Sequence, residues 1–297
     1  MQDADQLHRF IFENTPIRGN TVHLDYSFDT ALQHQDCPPS LRRALGELMA
    51  ASVLLAATLK MRGALVLQIQ GKGALKLLVV ECTAALTLRA TAKWSGPLEN
   101  ASLAELVGDG RFVITLDPKD GGQAYQGIVP LEGENIAEIL QNYMQRSEQI
   151  DTRIWLACDG KTAAGMLLQK LPATEQTETS AEEDADTWPR LGYLADTVQA
   201  GELLELPTQK LLQRLFHEED VRLFEGQSIR FHCSCSHHSV GSMLRMLGHE
   251  EIAGIIAERD DIEVRCDFCG TQYRFDRIDA EQLFAADAAA PGSTRKH

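Results

Sequence analysis

Two closely spaced cysteine pairs near the C-terminus constrain this chain more than any other feature of its sequence. The first pair is Cys233 and Cys235, and the second pair is Cys266 and Cys269. The chain between the pairs is long enough to form a small subdomain and to bring all four sulfurs to one point. The spacing therefore predicts a metal site.

Zinc is the metal that this ligand set predicts. A d10 ion without redox chemistry accepts four thiolates in a tetrahedron, which leaves no open position for a substrate. A permanently closed, structural zinc ribbon is one interpretation of the spacing. However, Cys233 and Cys235 are separated by a single residue, Ser234, whereas structural sites usually space paired ligands by about two to four. We interpret this tight pair as a site that can be opened.

The other cysteines and the nearby histidines have no role in this prediction. Four cysteines already complete a tetrahedral site, so a surface imidazole beside the zinc is the simpler expectation. A cysteine outside a cluster is usually a small apolar core residue. The histidines considered as alternative ligands are His232, His237, His238 and His249, and the isolated cysteines are Cys37, Cys82 and Cys158.

We expect a cytoplasmic protein that has neither a membrane partner nor a nucleic-acid partner. In a reducing compartment, clustered cysteines indicate a metal or redox role and not a disulfide framework. We find no signal sequence and no apolar run long enough to span a membrane, so we expect no membrane partner. The formal net charge is −15, and residues 229–297 carry 8 basic and 11 acidic side chains. Because an acidic subdomain repels phosphate backbones, we also expect no nucleic-acid partner.

Residues 1–172 are predicted to form one α/β domain with a mainly antiparallel sheet. Apolar residues at helical spacing predict one helix from Ser40 to Lys60 and an amphipathic helix from Glu134 to Gln149. Strand-like segments joined by short connections favour antiparallel pairing. These segments are residues 64–70, 74–82, 84–91, 111–116, 124–130, 152–158 and 163–170.

The rest of the chain is predicted to contain four further parts, so that the overall class is α+β. Residues 173–187 are acidic and nearly free of apolar side chains, which is typical of a flexible linker. Residues 188–228 are rich in leucine but too short to bury these side chains alone, so we predict a helical linker arm that docks on the first domain and can be released. Residues 229–286 form the predicted zinc-binding domain, with helices between the cysteine pairs and a hairpin around the second pair. Residues 287–297 are expected to be a loose tail.

Several longer motifs resemble the heat shock protein 33 family of redox-regulated chaperones. They are Tyr125–Gly133, Ser147–Gln149 and Arg214–Arg222, and together with the ordered cysteines they extend the resemblance over nearly the whole chain. The resemblance implies an ATP-independent holdase, not an enzyme, that is dormant while it is reduced and zinc-bound. It also implies that oxidation of the four cysteines releases zinc, unfolds the C-terminal region and the arm, and exposes apolar surface to unfolding client proteins. The oxidised form would be a homodimer.

For the oxidised protein, we predict the disulfides Cys233–Cys235 and Cys266–Cys269. The four sulfurs of a zinc tetrahedron are about equally close, so the folded geometry does not select a pairing. Loop closure does select one, because joining neighbouring cysteines costs less entropy than joining distant ones. Strain in the short Cys-x-Cys ring opposes this preference and is expected to make that disulfide the more reducible one.

Two other functions fit the cysteine pattern. The first is a zinc ribbon of constant activity that contacts RNA or ribosomes, although the acidic charge of the subdomain argues against it. The second is a thiol-disulfide oxidoreductase that uses Cys266 and Cys269. Such enzymes place this motif at the start of a helix, whereas the residues after Cys269 are predicted to form a strand.

Overall fold

The computed structural model describes residues 3–59, 63–96, 98, 102–118, 122–172 and 181–288. They fall into two units, divided between His232 and Cys233, and each unit has a hydrophobic core of its own. Both units combine helices with antiparallel strands, which confirms the α+β class. The division of residues 1–228 into a core domain, a linker and an arm stays a prediction.

The first unit contains strands β1 to β12 and helices α1 to α7. The strands are β1 (Gln6–Phe12), β2 (Ile17–Leu24), β3 (Ala64–Gly71), β4 (Leu75–Thr83), β5 (Thr87–Trp94), β6 (Gly110–Asp117), β7 (Tyr125–Val129), β8 (Thr152–Cys158), β9 (Ala163–Lys170), β10 (Val221–Leu223), β11 (Gln227–Ser228) and β12 (Arg230–Phe231). The helices are α1 (Tyr26–Leu32), α2 (Pro39–Ala56), α3 (Leu103–Val107), α4 (Ile136–Arg146), α5 (Ala181–Ala195), α6 (Ala200–Glu205) and α7 (Thr208–Leu215).

The strands of the first unit form two six-stranded sheets. In sheet A the order is β10-β1-β2-β9-β8, and β11 also pairs with β1. In sheet B the order is β12-β5-β4-β3-β6-β7. Among the described strands, every pair is antiparallel except the pair of β12 with β5. This agrees with the mainly antiparallel sheet that the short connections predicted.

Helix α2 lies between the two sheets and packs against strands of both. Every residue from Leu48 to Ala56 is buried, whereas Arg43 in the first half of the helix is exposed. A helical segment that is buried on every side is stable only when other layers enclose it, so the two sheets share one core built around the second half of α2. The sequence predicted a helix from Ser40 to Lys60. The helix begins at Pro39, whose fixed φ suits the first helical position, and ends at Ala56.

The helices of the predicted arm cover the outer face of sheet A. Side chains along a strand alternate between its two faces, so residues that point away from α2 are available to the arm. Phe216 of the arm meets Phe12 of β1 edge to face, with ring centroids 5.0 Å apart. We call the buried residues at this contact the arm cluster. They are Phe10, Phe12, Ile17, Ala157, Ala164, Met166, Leu168, Leu191, Ala195, Leu203, Leu211, Leu212, Leu215 and Phe216.

Polar contacts add to the arm cluster. The Nε2 atom of His23 lies 2.7 Å from the carbonyl oxygen of Leu204, and the hydroxyls of Thr21 and Thr208 are 3.1 Å apart. Both sheet residues are buried, and a buried polar group without a partner is costly. The arm therefore satisfies polar groups of sheet A as well as covering its apolar side chains.

Two segments differ from the prediction. Helix α5 begins at Ala181, so the second half of the expected flexible linker is helical, while residues 173–180 lie outside the described residues. Alanine and glutamate favour helices, and acidic residues in a first turn complement the helix dipole, so low apolar content alone was misleading. The end of the predicted helical arm is also extended, because β10 and β11 pair with β1. Residues 229–232, which we assigned to the zinc-binding domain, belong to the first unit, where β12 pairs with β5.

The second unit contains α8 (His237–Leu247), α9 (His249–Arg259), β13 (Asp261–Arg265), β14 (Gln272–Asp276) and α10 (Arg277–Ala288). The predicted helices between the cysteine pairs and the predicted hairpin are confirmed. Helix α10 begins at Arg277, and the carboxylate of Asp276, the residue before it, accepts a hydrogen bond from the N–H of Asp279. The small core consists of Val240, Leu244, Ile252, Ile256, Ile262, Phe275 and Ala280.

In the described ranges, no helix has both the length and the apolar character that a membrane crossing requires. Of the predicted tail, residues 289–297 lie outside the described residues.

Candidate metal centre

The four predicted ligands come together in the second unit. The sulfur atoms of Cys233, Cys235, Cys266 and Cys269 all lie within 4.8 Å of one another. The sulfurs of Cys233 and Cys266 are 3.7 Å apart, and those of Cys235 and Cys269 are 3.3 Å apart. Within the described part of the chain, this is the one cluster of three or more potential metal ligands, and no histidine belongs to it.

The β13–β14 hairpin positions the second pair. Cys266 directly follows β13, and its N–H donates to the carbonyl of Thr271 at 2.9 Å. The N–H of Gly270 donates to the carbonyl of Cys266 at 2.9 Å. Gly270 has φ +71°, a left-handed conformation that glycine adopts without steric cost. This closed turn holds Cys266 and Cys269 close together, as the sequence predicted.

The start of helix α8 positions the first pair. Ser236 caps the helix, and its hydroxyl accepts a hydrogen bond from the N–H of Ser239 at 3.1 Å. The cap fixes the path of the chain directly after Cys235. The ring of His237 stacks on Phe275, with centroids 4.1 Å apart, so this imidazole packs on β14 and is not one of the clustered ligands.

Two hydroxyl groups lie beside the sulfurs. The Tyr273 hydroxyl donates to the sulfur of Cys235 at 3.0 Å, and the Thr271 hydroxyl lies 3.2 Å from the sulfur of Cys269. A hydrogen bond donated to a sulfur favours its thiolate form, which is the form that binds metal. Neither residue was predicted from the sequence, although their position just after Cys269 is a signal that could have identified them.

The acidity of the cysteines differs within the cluster. Burial raises the pKa of Cys233 to about 12 and also raises the pKa of Cys235. At Cys269 burial acts in the same direction, but hydrogen bonds from the hydroxyl and the N–H of Thr271 lower the pKa to about 7. The hydrogen bond to Cys235 raises the pKa of Tyr273 to about 12. The cluster thus contains one readily ionised thiol.

The geometry fits zinc. A tetrahedral zinc ion with Zn–S bonds of about 2.3 Å places its sulfurs about 3.8 Å apart. The 3.7 Å separation of Cys233 and Cys266 is close to this value. Four sulfurs fill the tetrahedron, so a metal here would join the two halves of the second unit and would have no open position for a substrate.

The three isolated cysteines lie in the first unit and do not belong to this cluster. Burial raises the pKa of Cys37 and of Cys158 to about 11, and that of Cys82 to about 12. Their thiols are therefore protonated at neutral pH and poorly reactive.

Comparison with known proteins adds independent information. The model of the Hsp33 protein family matches residues 5–276. The chain is 64% identical over 298 residues to the 33 kDa chaperonin of Methylobacillus flagellatus, covering 100% of both chains. It is 46% identical over 299 residues to the 33 kDa chaperonin of Chromobacterium violaceum, covering 100% of this chain and 99% of the relative. The crystal structure of the 33 kDa chaperonin (heat shock protein 33 homolog) from Thermotoga maritima superposes with a TM-score of 0.81 at 20% identity, covering 96% of this chain and 99% of that chain.

Proposed function

This chain belongs to the Hsp33 family of chaperones, and from this premise we propose that it is a redox-regulated, ATP-independent holdase and not an enzyme. The observation that carries the proposal is the gathering of Cys233, Cys235, Cys266 and Cys269 in a unit with a small apolar core. The proposed partners are unfolding client proteins and, in the oxidised state, a second copy of the chain. The proposed compartment is the cytoplasm, without membrane or nucleic-acid partners.

In the reduced state, the four cysteines would hold one zinc ion per chain. Bound zinc would cross-link the two halves of the second unit and keep its ligands as thiolates. Metal binding contributes about 10 to 16 kcal/mol to the folding of small zinc domains. Because a core this small supplies little stability by burial, the fold of the second unit depends on its four sulfurs.

Oxidation removes these ligands. With hydrogen peroxide as the oxidant, a thiolate sulfur attacks one oxygen, the O–O bond breaks and the sulfur becomes a sulfenic acid. The other oxygen leaves as hydroxide and takes a proton from solvent to become the first water. The second thiol of the pair then attacks the sulfenic sulfur, which forms the disulfide and releases a second water. Each pair thus loses two electrons to one peroxide. A disulfide sulfur no longer binds metal as a thiolate does, so the second unit loses its cross-link.

Loss of the second unit's fold would release the arm. One residue, His232, separates β12 from Cys233, so the arm would lose the ordered chain that follows its C-terminal end. Release would expose the residues of the arm cluster that belong to sheet A, which include Phe10, Phe12 and Met166. An apolar surface of this kind is what binds unfolding proteins.

The direct test compares the reduced, zinc-loaded protein with the oxidised, zinc-free protein in suppressing the aggregation of a model client. We expect suppression by the oxidised form alone. Equal suppression by both forms would favour a binding module of constant activity. Reduction of insulin by the protein would instead favour a thiol-disulfide oxidoreductase.

The oxidised protein is expected to contain the disulfides Cys233–Cys235 and Cys266–Cys269. The shortest sulfur contacts described above join a cysteine of one pair to a cysteine of the other. However, the second disulfide would form after the subdomain has loosened, and the entropy of loop closure then favours a bond between cysteines that are close in sequence. Peptide mapping without reduction measures the pairing, and the peptides of Cys37, Cys82 and Cys158 should remain alkylated as internal controls. Disulfides found mainly between the two pairs would contradict the prediction and imply a subdomain locked shut by oxidation.

A further inference from the structure

We infer that strand β12 occupies the binding site of an extended client segment, and that the edge of β5 beneath it is a client-binding site. The inference rests on the proposed function, because β12 leaves its place only if the second unit unfolds. The site is distinct from the outer face of sheet A, which the arm helices cover.

Strand β12 is held on sheet B by backbone hydrogen bonds at one edge. The N–H groups of Arg230 and His232 donate to the carbonyls of Leu86 and Leu88 at 3.2 and 3.0 Å. This pairing is parallel, unlike the other described pairs. The residue after His232 is Cys233, so the last hydrogen bond of β12 lies directly before the first residue of the cysteine cluster.

The side chains of this segment fill apolar positions in the main core. Ile229 is 4% exposed and belongs to that core, and Phe231 packs against it. Arg230 lies between them and is exposed, as the alternation of a strand requires. Helix α1 lies against β12. When β12 leaves, the carbonyls of Leu86 and Leu88 lose their hydrogen-bond donors. The apolar positions that Ile229 and Phe231 filled, two residues apart, also become empty.

The remainder of the β5 edge is already covered. The side-chain amide of Gln35 donates to the carbonyl of Ala90 at 3.2 Å, and its oxygen accepts from the N–H of Ala92 at 2.9 Å. The side chain of Gln35 thus makes the hydrogen bonds that a neighbouring strand would make. Covering a sheet edge is one way in which proteins keep other chains from pairing with it. At Leu86 and Leu88, no side chain among the described residues covers the edge in this way, and the backbone of Arg230 and His232 pairs with it instead.

The retention of β12 depends on the chain around it. A strand of two residues forms too few hydrogen bonds to persist alone, so its place depends on the burial of Ile229 and Phe231 and on order at both ends. Disorder that begins at Cys233 removes one of these ends. The partner that fits the opened site is an extended segment with apolar residues at alternate positions, as in other cases of strand addition to a sheet edge.

A labelled peptide with the sequence Gln227–His232 tests the site on the full-length protein. We expect the peptide to bind the oxidised protein and not the reduced one, and an unfolding client to compete with it. The same peptide with Ile229→Asp and Phe231→Asp is expected to bind about tenfold more weakly or worse, because both apolar side chains are lost. Absence of binding to the oxidised protein, or equal binding of the two peptides, would overturn the inference.

Cross-linking locates the bound peptide. A peptide with a benzophenone group at the position of Phe231 is expected to label β5 or α1. Labelling confined to the sheet side of the arm cluster would also overturn the inference, because the peptide would then occupy the surface that the arm leaves.

The aggregation assay separates this inference from the proposed function. An oxidised protein that suppresses client aggregation but does not bind the peptide retains the proposed function and loses the β5 site. An oxidised protein that binds the peptide at β5 without suppressing aggregation retains the site and loses the holdase function. Failure in both assays rejects both.

Discussion

The substitution Phe216→Ala is expected to convert the reduced protein into an active holdase. Phe216 is 2% exposed and meets Phe12 edge to face. Removal of a buried phenylalanine side chain costs about 3 to 5 kcal/mol, and the short helices of the arm have no core apart from sheet A. The released arm should therefore become populated without oxidation. Suppression of client aggregation in the presence of reductant, and amide exchange across residues 188–228, measure the effect.

Phe224→Ala is the matched control for this prediction. Phe224 lies near the end of the same arm but is 42% exposed and does not belong to the arm cluster. This variant should stay dormant under reductant, with exchange like that of the unmodified protein. If Phe216→Ala showed rapid exchange of the arm but no holdase activity, the outer face of sheet A would not be the client surface.

The substitution Cys266→Ser is expected to abolish zinc binding and to unfold the second unit of the reduced protein. A serine hydroxyl remains protonated at neutral pH and is a poor substitute for a thiolate, so three ligands remain. The expected loss is a large share of the about 10 to 16 kcal/mol that a bound zinc contributes to such a fold. Native mass spectrometry measures the metal content, and amide exchange of residues 233–288 measures the fold.

Cys37→Ser is the corresponding control, because Cys37 lies in the first unit and outside the cluster. It should leave one zinc per chain and an ordered second unit. Full zinc content in Cys266→Ser would reveal a replacement ligand. An ordered second unit without metal would show that its apolar core is sufficient, and the proposed switch would then lack its driving force.

Elements that are specified by their own local sequence, through apolar periodicity, capping residues or ligand spacing, were predictable. Helix α4 (Ile136–Arg146) has an apolar face at helical spacing and a capping asparagine before it, and the sequence predicted it with a few extra residues at each end. The four cysteines were also predictable as one cluster, because ligand spacing is a local property and metal chemistry limits what such pairs can form.

Elements whose stability comes from distant partners were missed. Strand β2 includes Thr21 and His23, which are buried but polar, so its sequence lacks the alternation of a half-buried strand. These residues are buried because the arm, about 180 residues later, provides their hydrogen-bond partners. The strands at the end of the arm were missed for the same reason, since β10 exists through its pairing with β1.

Because α2 is enclosed between two sheets, the client and not the chaperone should lose most of the conformational entropy on binding. Because α2 packs against strands of both sheets, the proposed release of the arm would uncover a surface whose backbone is already ordered. Little conformational freedom is then lost by the chaperone on association, and nearly all of that cost falls on the client. A client that retains extended, partly ordered segments loses less entropy than a fully unfolded chain. We therefore expect early unfolding intermediates to bind this surface most tightly.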